Sequence, residues 1–293
     1  MKTPFPAVLT AVFLVIFPVP LHAQLDITSQ LGEIVQKSTN ELAVQINLSG
    51  RQRMLTQKMS KEAFLVALKV EPEKNRRNLV RTMALFERTL AGLIAGDAGL
   101  KLAKAPNARI AAQLGVVMDL WKRFRPLVQR VADGQADRAT LERIARDNLP
   151  LLAEMNRAVK MFEKAAGADT AELAVVINLS GRQRMLTQKM TKEYLLTALD
   201  IDRDANRRNL KNTMTLFDRT LRGLLDGDDA QGLPPTTDPA IRAQLQKVMK
   251  LWAGFRPLLG RPATHENLLA VAHANLPLLA EMNRAVKMYE ESW

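Results

Sequence analysis

Apolar residues recur every three or four positions along most of this chain, and no stretch alternates apolar with polar residues between hairpin turns. The pattern predicts helices, and it occurs twice. Ile46 to Asp97 matches Ile177 to Asp228 at a constant offset of 131, with 35 of 52 positions identical. The offset holds to Phe124-Arg125-Pro126 and Phe255-Arg256-Pro257, then becomes 127, and Asn148 to Met161 agrees with Asn275 to Met288 at every position. Each copy reads as four helices. The first begins near Ser38 and Asp169, where Ser38-x-x-Glu41 and Asp169-x-x-Glu172 have capping-box form, and ends near Val70 and Asp200. The second runs from about Glu73 to Ala95 and Ala205 to Asp226, each stopping at a Gly-Asp pair. The third starts after Asn107 and Asp238, the fourth after Asp137 and Thr264. Pro150 and Pro277 should kink the fourth helix or lie in its first turns. Short polar connections make the expected fold all-α, as two tandem up-and-down four-helix bundles, residues 24–166 and 167–293. The link Ala165 to Thr170 contains Gly167. Either it turns, laying the bundles side by side as an intramolecular pseudo-dimer, or it continues the helix and stacks them end to end. Leu25 to Lys37 extends the first helix or forms a short one.

The first 23 residues change the expected location. Lys2, the apolar run Ala7 to Phe17 and the small residue Ala23 form a signal peptide cleaved after residue 23, the alternative being an uncleaved anchor. A net charge of +12 would point to nucleic acid in the cytoplasm. Behind an export signal it points away from nucleic acid, and the periplasm is the expected compartment. With no Cys there is no disulfide and no thiolate metal site. His265 and His273 replace Arg138 and Arg146 of the first copy, so neither belongs to a repeated site. No repeated carboxylate pair, Ser-His pair or metal cluster exists, so neither an enzyme nor a cofactor is expected.

The repeated block Ile-Asn-Leu-Ser-Gly-Arg-Gln-Arg-Met-Leu-Thr-Gln-Lys-Met, Ile46 to Met59 and Ile177 to Met190, carries the chemistry. On a helical wheel Leu48, Leu55, Met59 and Val66 form one apolar stripe, facing the bundle core. Ile46, Gly50, Arg53, Gln57 and Phe64 form a second stripe, with counterparts Ile177, Gly181, Arg184, Gln188 and Leu195. A helix with two such faces packs against two things. A mid-helix Gly costs about 1 kcal/mol relative to Ala, and it either admits a close backbone or opens the helix to a ligand. The guanidinium of Arg53, three residues on, fits flat oxyanions through two parallel hydrogen bonds. If the two first helices face each other, Arg53 and Arg184 converge, and two buried like charges need an anion between them. The ligand-binding candidates are therefore Gly50, Arg53, Gly181 and Arg184, with Asn47, Gln57, Asn178 and Gln188 as a supporting tier. Arg51 and Arg182 read as solvated or paired with Glu, and the block Asn148 to Met161 reads as mostly structural.

This block resembles the hallmark of the PilJ-type domain, the N-terminal sensing domain of type IV pilus methyl-accepting chemotaxis transducers. It is similar in turn to the P-box of NarX-like nitrate sensors. The resemblance implies a periplasmic four-helix bundle whose first helices pair across a two-fold axis and hold nitrate. It also implies that the Arg three residues after the motif Gly holds the ligand with help from the backbone at the Gly. Those positions here are Gly50 and Arg53, and Gly181 and Arg184. The expected function is a periplasmic binding or sensing protein for a small oxyanion, nitrate or nitrite first, reporting to a membrane-bound sensor or chemoreceptor. The expected state is a monomer with an intramolecular pseudo-two-fold. The rival reading is a ligand-free structural module that docks on a receptor or pilus-associated complex.

Overall fold

A computed structural model describes the backbone of residues 21–292 and the side chains of residues 40–292. The expected signal peptide falls almost wholly outside the described residues. Residues Thr39–Trp293 form one compact unit, which holds every element below except the start of the first helix.

Among the described residues there are eight α-helices and no strand: α1 (Leu21–Ala67), α2 (Pro72–Ala95), α3 (Ala108–Ala132), α4 (Arg138–Lys164), α5 (Ala171–Ala198), α6 (Arg203–Asp226), α7 (Pro239–Phe255) and α8 (His265–Glu291). No helix among the described residues is long and apolar enough to cross a membrane. The starts of α3, α4, α7 and α8 fall where the capping residues predict. Asn107, Asp137, Asp238 and Thr264 each accept a hydrogen bond from a backbone N–H of the first turn.

Leu25 to Lys37 extends the first helix, the second copy starts close to Asp169, and neither expected capping box starts a helix. Helix α1 already begins at Leu21 and runs through Ser38 and Glu41. The N–H groups there are satisfied by carbonyls of the preceding turn, so a capping box has nothing to cap. In the second copy a single 3-10 turn, Ala168–Thr170, intervenes, and α5 starts at Ala171 without a side-chain cap. The chain is therefore not one continuous helix through Gly167. Pro150 and Pro277 lie in mid-helix, inside α4 and α8, and neither sits in a first turn.

The repeats share their cores. Trp121 packs on Phe86 and Trp252 on Phe217, with ring centroids 4.7 Å apart in both. Each first-to-second-helix corner is tied by an Asn, with Asn75 Nδ2 donating to Val70 O at 2.7 Å and Asn206 Nδ2 to Ile201 O at 2.9 Å. The copies part company after the third helix. Helix α3 has 25 residues and carries Pro126 inside it. Helix α7 has 17 residues and gives way to a 3-10 segment, Arg256–Gly260, at the matching Pro257.

Candidate functional site

Both stripes of the motif helix are covered. Leu55, Met59 and Val66 of the first stripe are buried, and Leu48 is partly buried against the same core. Ile46, Arg53, Gln57 and Phe64 of the second are almost wholly inaccessible, Arg53 at 2% and Arg184 at 3%. The second stripe meets both its own fourth helix and the other repeat. Arg53 Nη2 donates to Asn178 O and Arg184 Nη2 to Asn47 O, each at 3.0 Å. Each arginine thus reaches across from its own motif helix to a carbonyl of the other.

The glycines explain why those carbonyls are reachable. A helical carbonyl keeps a second lone pair after its intrahelical bond. A side chain three residues on would crowd that lone pair, and Gly50 and Gly181 carry none. A Cβ on Gly50 would lie 3.3 Å from Arg53 Nη2 and 3.5 Å from Arg184 Nη2. A Cβ on Gly181 would lie 3.1 Å from Arg184 Nη2 and 3.8 Å from Arg53 Nη2. Both guanidiniums therefore crowd the same small region over the two glycines.

Electrostatics makes this a costly arrangement. Burial, then the charges of Arg182 and Arg184, push Arg53 down to about 9, opposed by Glu163. Burial, then Arg51, push Arg184 down to about 9, opposed by Glu290. Arg53 Nη1 donates to Asn156 Oδ1 at 3.2 Å, but the Nε of both arginines is buried with no hydrogen-bond partner among the described residues. A shallow pocket of about 310 Å³, bounded by Arg53, Asn156, Lys160, Glu163, Asn178 and Arg182, opens beside Arg53.

Arg51 and Arg182 correct the expectation of solvated side chains. Both are only partly exposed, and burial lowers both. They lie within electrostatic reach of the opposite repeat, Arg51 facing Glu290 and Arg184, and Arg182 facing Arg53. Lys58 and Glu62 pair with each other, and the carboxylate acting on Arg51 is Glu290.

The supporting tier divides. Asn47 and Asn178 belong to the arginine layer: their carbonyls accept from the arginines, and their amides donate to Glu290 and Glu163. Gln57 and Gln188 belong to a second layer one turn further along. Gln57 Nε2 donates to Asn148 Oδ1 at 2.8 Å, and Gln188 Nε2 to Asn275 Oδ1 at 2.9 Å. The same two oxygens accept from lysines of the opposite repeat, Lys192 to Asn148 and Lys61 to Asn275, both at 3.1 Å. Burial drives both lysines down to about 8. So Asn148 and Asn156, from the block taken as structural, join the buried polar network, and Lys61 and Lys192 enter it unpredicted. The signal was present, because Lys61 lies four residues after Gln57 on the second stripe. No cluster of three metal-ligating side chains occurs among the described residues.

Comparison with known proteins agrees with the repeat. The family model described as "Type IV pili methyl-accepting chemotaxis transducer N-term" (PilJ) matches residues 34–146 and again 170–276. The methyl-accepting chemotaxis protein McpN of Pseudomonas aeruginosa is 35% identical over 127 residues, 43% of this chain and 23% of that receptor. The chain thus spans under a quarter of that relative's length. A solved structure, the ligand-binding domain of the P. aeruginosa nitrate receptor McpN, is 34% identical, with a TM-score of 0.38, covering 42% of this chain and 97% of that one.

Proposed function

We propose that this chain, which belongs to the PilJ family of type IV pilus chemotaxis transducer N-terminal domains, is a periplasmic sensing protein that holds one small planar oxyanion between Arg53 and Arg184. The observation that carries the proposal is the pair of buried guanidiniums, crowded over Gly50 and Gly181, each with an Nε that has no partner among the described residues. Buried like charges are tolerated only when something offsets them. An anion between the forks would accept from both, and the remaining N–H donors match a flat, three-oxygen acceptor. Gly50, Gly181 and the Asn47 and Asn178 carbonyls shape the floor, and Asn156 steadies Arg53. Arg51 and Arg182 raise the local positive potential without touching the ligand.

Nitrate is the first candidate and nitrite the second, because the relative McpN bears the name of a nitrate receptor. On this reading the two copies, 24–166 and 167–293, form an intramolecular pseudo-dimer with one shared site, which single-copy relatives would build from two chains. The protein would be a monomer in solution and would report occupancy to a membrane-bound receptor.

Titration calorimetry of the chain against nitrate, nitrite, sulfate and chloride at constant ionic strength tests this. We expect one site per chain, with nitrate or nitrite favoured over chloride, and a monomer by light scattering. Equal heats for all four anions would reduce the effect to screening of a basic protein and leave the ligand-free docking module as the better account.

A further inference from the structure

A groove of about 1480 Å³ lies on the second repeat, away from the arginine layer, between α5, α6 and the segment that follows α7. Its α6 wall carries Arg203, Arg207, Lys211 and Arg222, whose spacing puts them on one helix face. The first repeat has Pro72, Arg76, Val80 and Ala91 at the matching positions. Three of these four cations are therefore particular to the second copy; Arg219, which also lines the groove, matches Arg88 of the first. Position 80 is 50% exposed, so this face is surface in the first repeat too.

The opposite wall is also particular to the second repeat. There α7 stops at Phe255, and the chain continues as a 3-10 segment and a loop. Tyr194, which stands where the first copy has Ala63, donates its hydroxyl to that loop, 3.2 Å from Pro262 O and 3.3 Å from Arg261 O. Charge and shape thus changed together, on one face of one repeat. Arg203 and Arg222 pair with Asp200 and Asp218. Arg207, Lys211 and Arg261 have no carboxylate partner among the described residues, and all three are exposed.

We propose that this groove docks an extended acidic segment of a partner protein, with carboxylates on alternate residues. Cations four residues apart on a helix are spaced by about 6 Å. Alternate side chains of an extended strand are spaced by about 6.6–6.8 Å, so successive carboxylates stay in register with Arg203, Arg207 and Lys211. The face from Arg203 to Arg222 is roughly 28 Å long, far more than a compact phosphate group spans. Its concavity suits a chain better than a lipid surface. The inference is independent of any ligand at Arg53 and Arg184.

The test is fluorescence anisotropy of the full chain with a labelled twelve-residue peptide of alternating Glu and Ser, and the Lys-Ser peptide as control. We expect saturable binding of the acidic peptide alone. It should weaken at least tenfold in the Arg207→Glu/Lys211→Glu variant and stay within twofold in Arg76→Glu, the matching change on the first repeat. Circular dichroism of each variant confirms that the helices are intact. The proposal is overturned by absent or non-saturable binding, or by equal loss in the two variants. It is also overturned if phosphatidylglycerol vesicles or inorganic triphosphate bind at least as tightly in a manner that depends on Arg207 and Lys211.

Discussion

Replacing Arg184 by Met should remove anion binding while leaving the ligand-free protein as stable as before, or more stable. Arg184 is buried at 3% exposure beside Arg53, and its fall from the ordinary arginine range to about 9 reflects the cost of holding charge there. Methionine keeps much of the length and volume without the charge. The one hydrogen bond that its guanidinium makes among the described residues, to Asn47 O, is lost, but that carbonyl keeps its helical bond, so the loss is about 1 kcal/mol. Replacing buried charges by well-packed apolar side chains stabilises by roughly 1–4 kcal/mol in favourable cases. The balance lies between zero and about 3 kcal/mol, and a chain this size gains about 2–4 °C of melting temperature per kcal/mol. Binding moves the other way. Two charge-assisted hydrogen bonds at about 1.5–3 kcal/mol each imply a loss of roughly two to four orders of magnitude in affinity. Calorimetric melting of both proteins with and without nitrate reads both effects. A variant that melts well below the parent without ligand would mean that internal partners already satisfy the arginine pair. The reason for placing an anion there would then be gone.

Other outcomes follow from neighbouring residues. Arg51→Ala and Arg182→Ala should weaken anion binding only several-fold, and less at high salt, since these side chains act through their field; a loss as large as that of Arg53→Ala would make them direct ligands. Gly181→Ala should cost more affinity than Gly50→Ala, because its Cβ would come within 3.1 Å of an arginine Nη2, against 3.3 Å; equal affinities by calorimetry would remove the close-approach role. The pH dependence has a definite sign. Lys61 and Lys192 fall from 10.5 to about 8, so above pH 8 the folded protein sheds protons that the unfolded chain still holds. Stability should therefore rise from pH 8 towards 10, below the range where Tyr289, raised from 10.0 to about 12, acts in the opposite direction. Urea midpoints at pH 7.5 and 9.5 check this, and Lys61→Met/Lys192→Met should reduce the rise to the part that Arg53 and Arg184 contribute near pH 9; a midpoint that falls with pH refutes the account.

The fold was legible where local rules act alone. Asn107, Asp137, Asp238 and Thr264 mark helix starts because a capping oxygen satisfies the adjacent N–H groups whatever packs nearby. Ser38 misled for the converse reason: a capping box works only where a helix begins, and nothing at that position stops the preceding turn. Site legibility shows the same division. Gly50 and Arg53 could be singled out because a helical wheel places them on a face that its own core does not need. A wheel gives direction but not the reach of a long side chain. Arg51, read as solvated or paired with Glu, lies within electrostatic reach of Arg184 on the other repeat. Asn148 and Asn275 were hidden more deeply, since their partners Lys192 and Lys61 come from the opposite copy and from far along the chain.

The buried polar network also bears on how occupancy could be sensed. A ligand shifts a conformational equilibrium only by its difference in affinity for the two states. A purely apolar interface between the repeats would be tight with or without ligand and would have little to report. Here the second stripe of each motif helix carries an arginine and a lysine into that interface; Glu62 and Glu193 lie beside the lysines, while the arginines are opposed by Glu163 and Glu290, whose partners are Asn178 and Asn47. Ligand-free pairing of the stripes is thereby weakened by charge, and an anion between Arg53 and Arg184 would strengthen it. The Gln57–Asn148–Lys192 and Gln188–Asn275–Lys61 chains link the two motif helices through α4 and α8 and so join both repeats. A change in spacing at the arginine layer would have to be absorbed by these hydrogen bonds, a turn or two away. The same residues that make the interface costly would thus make its geometry depend on the ligand, which a sensing role requires.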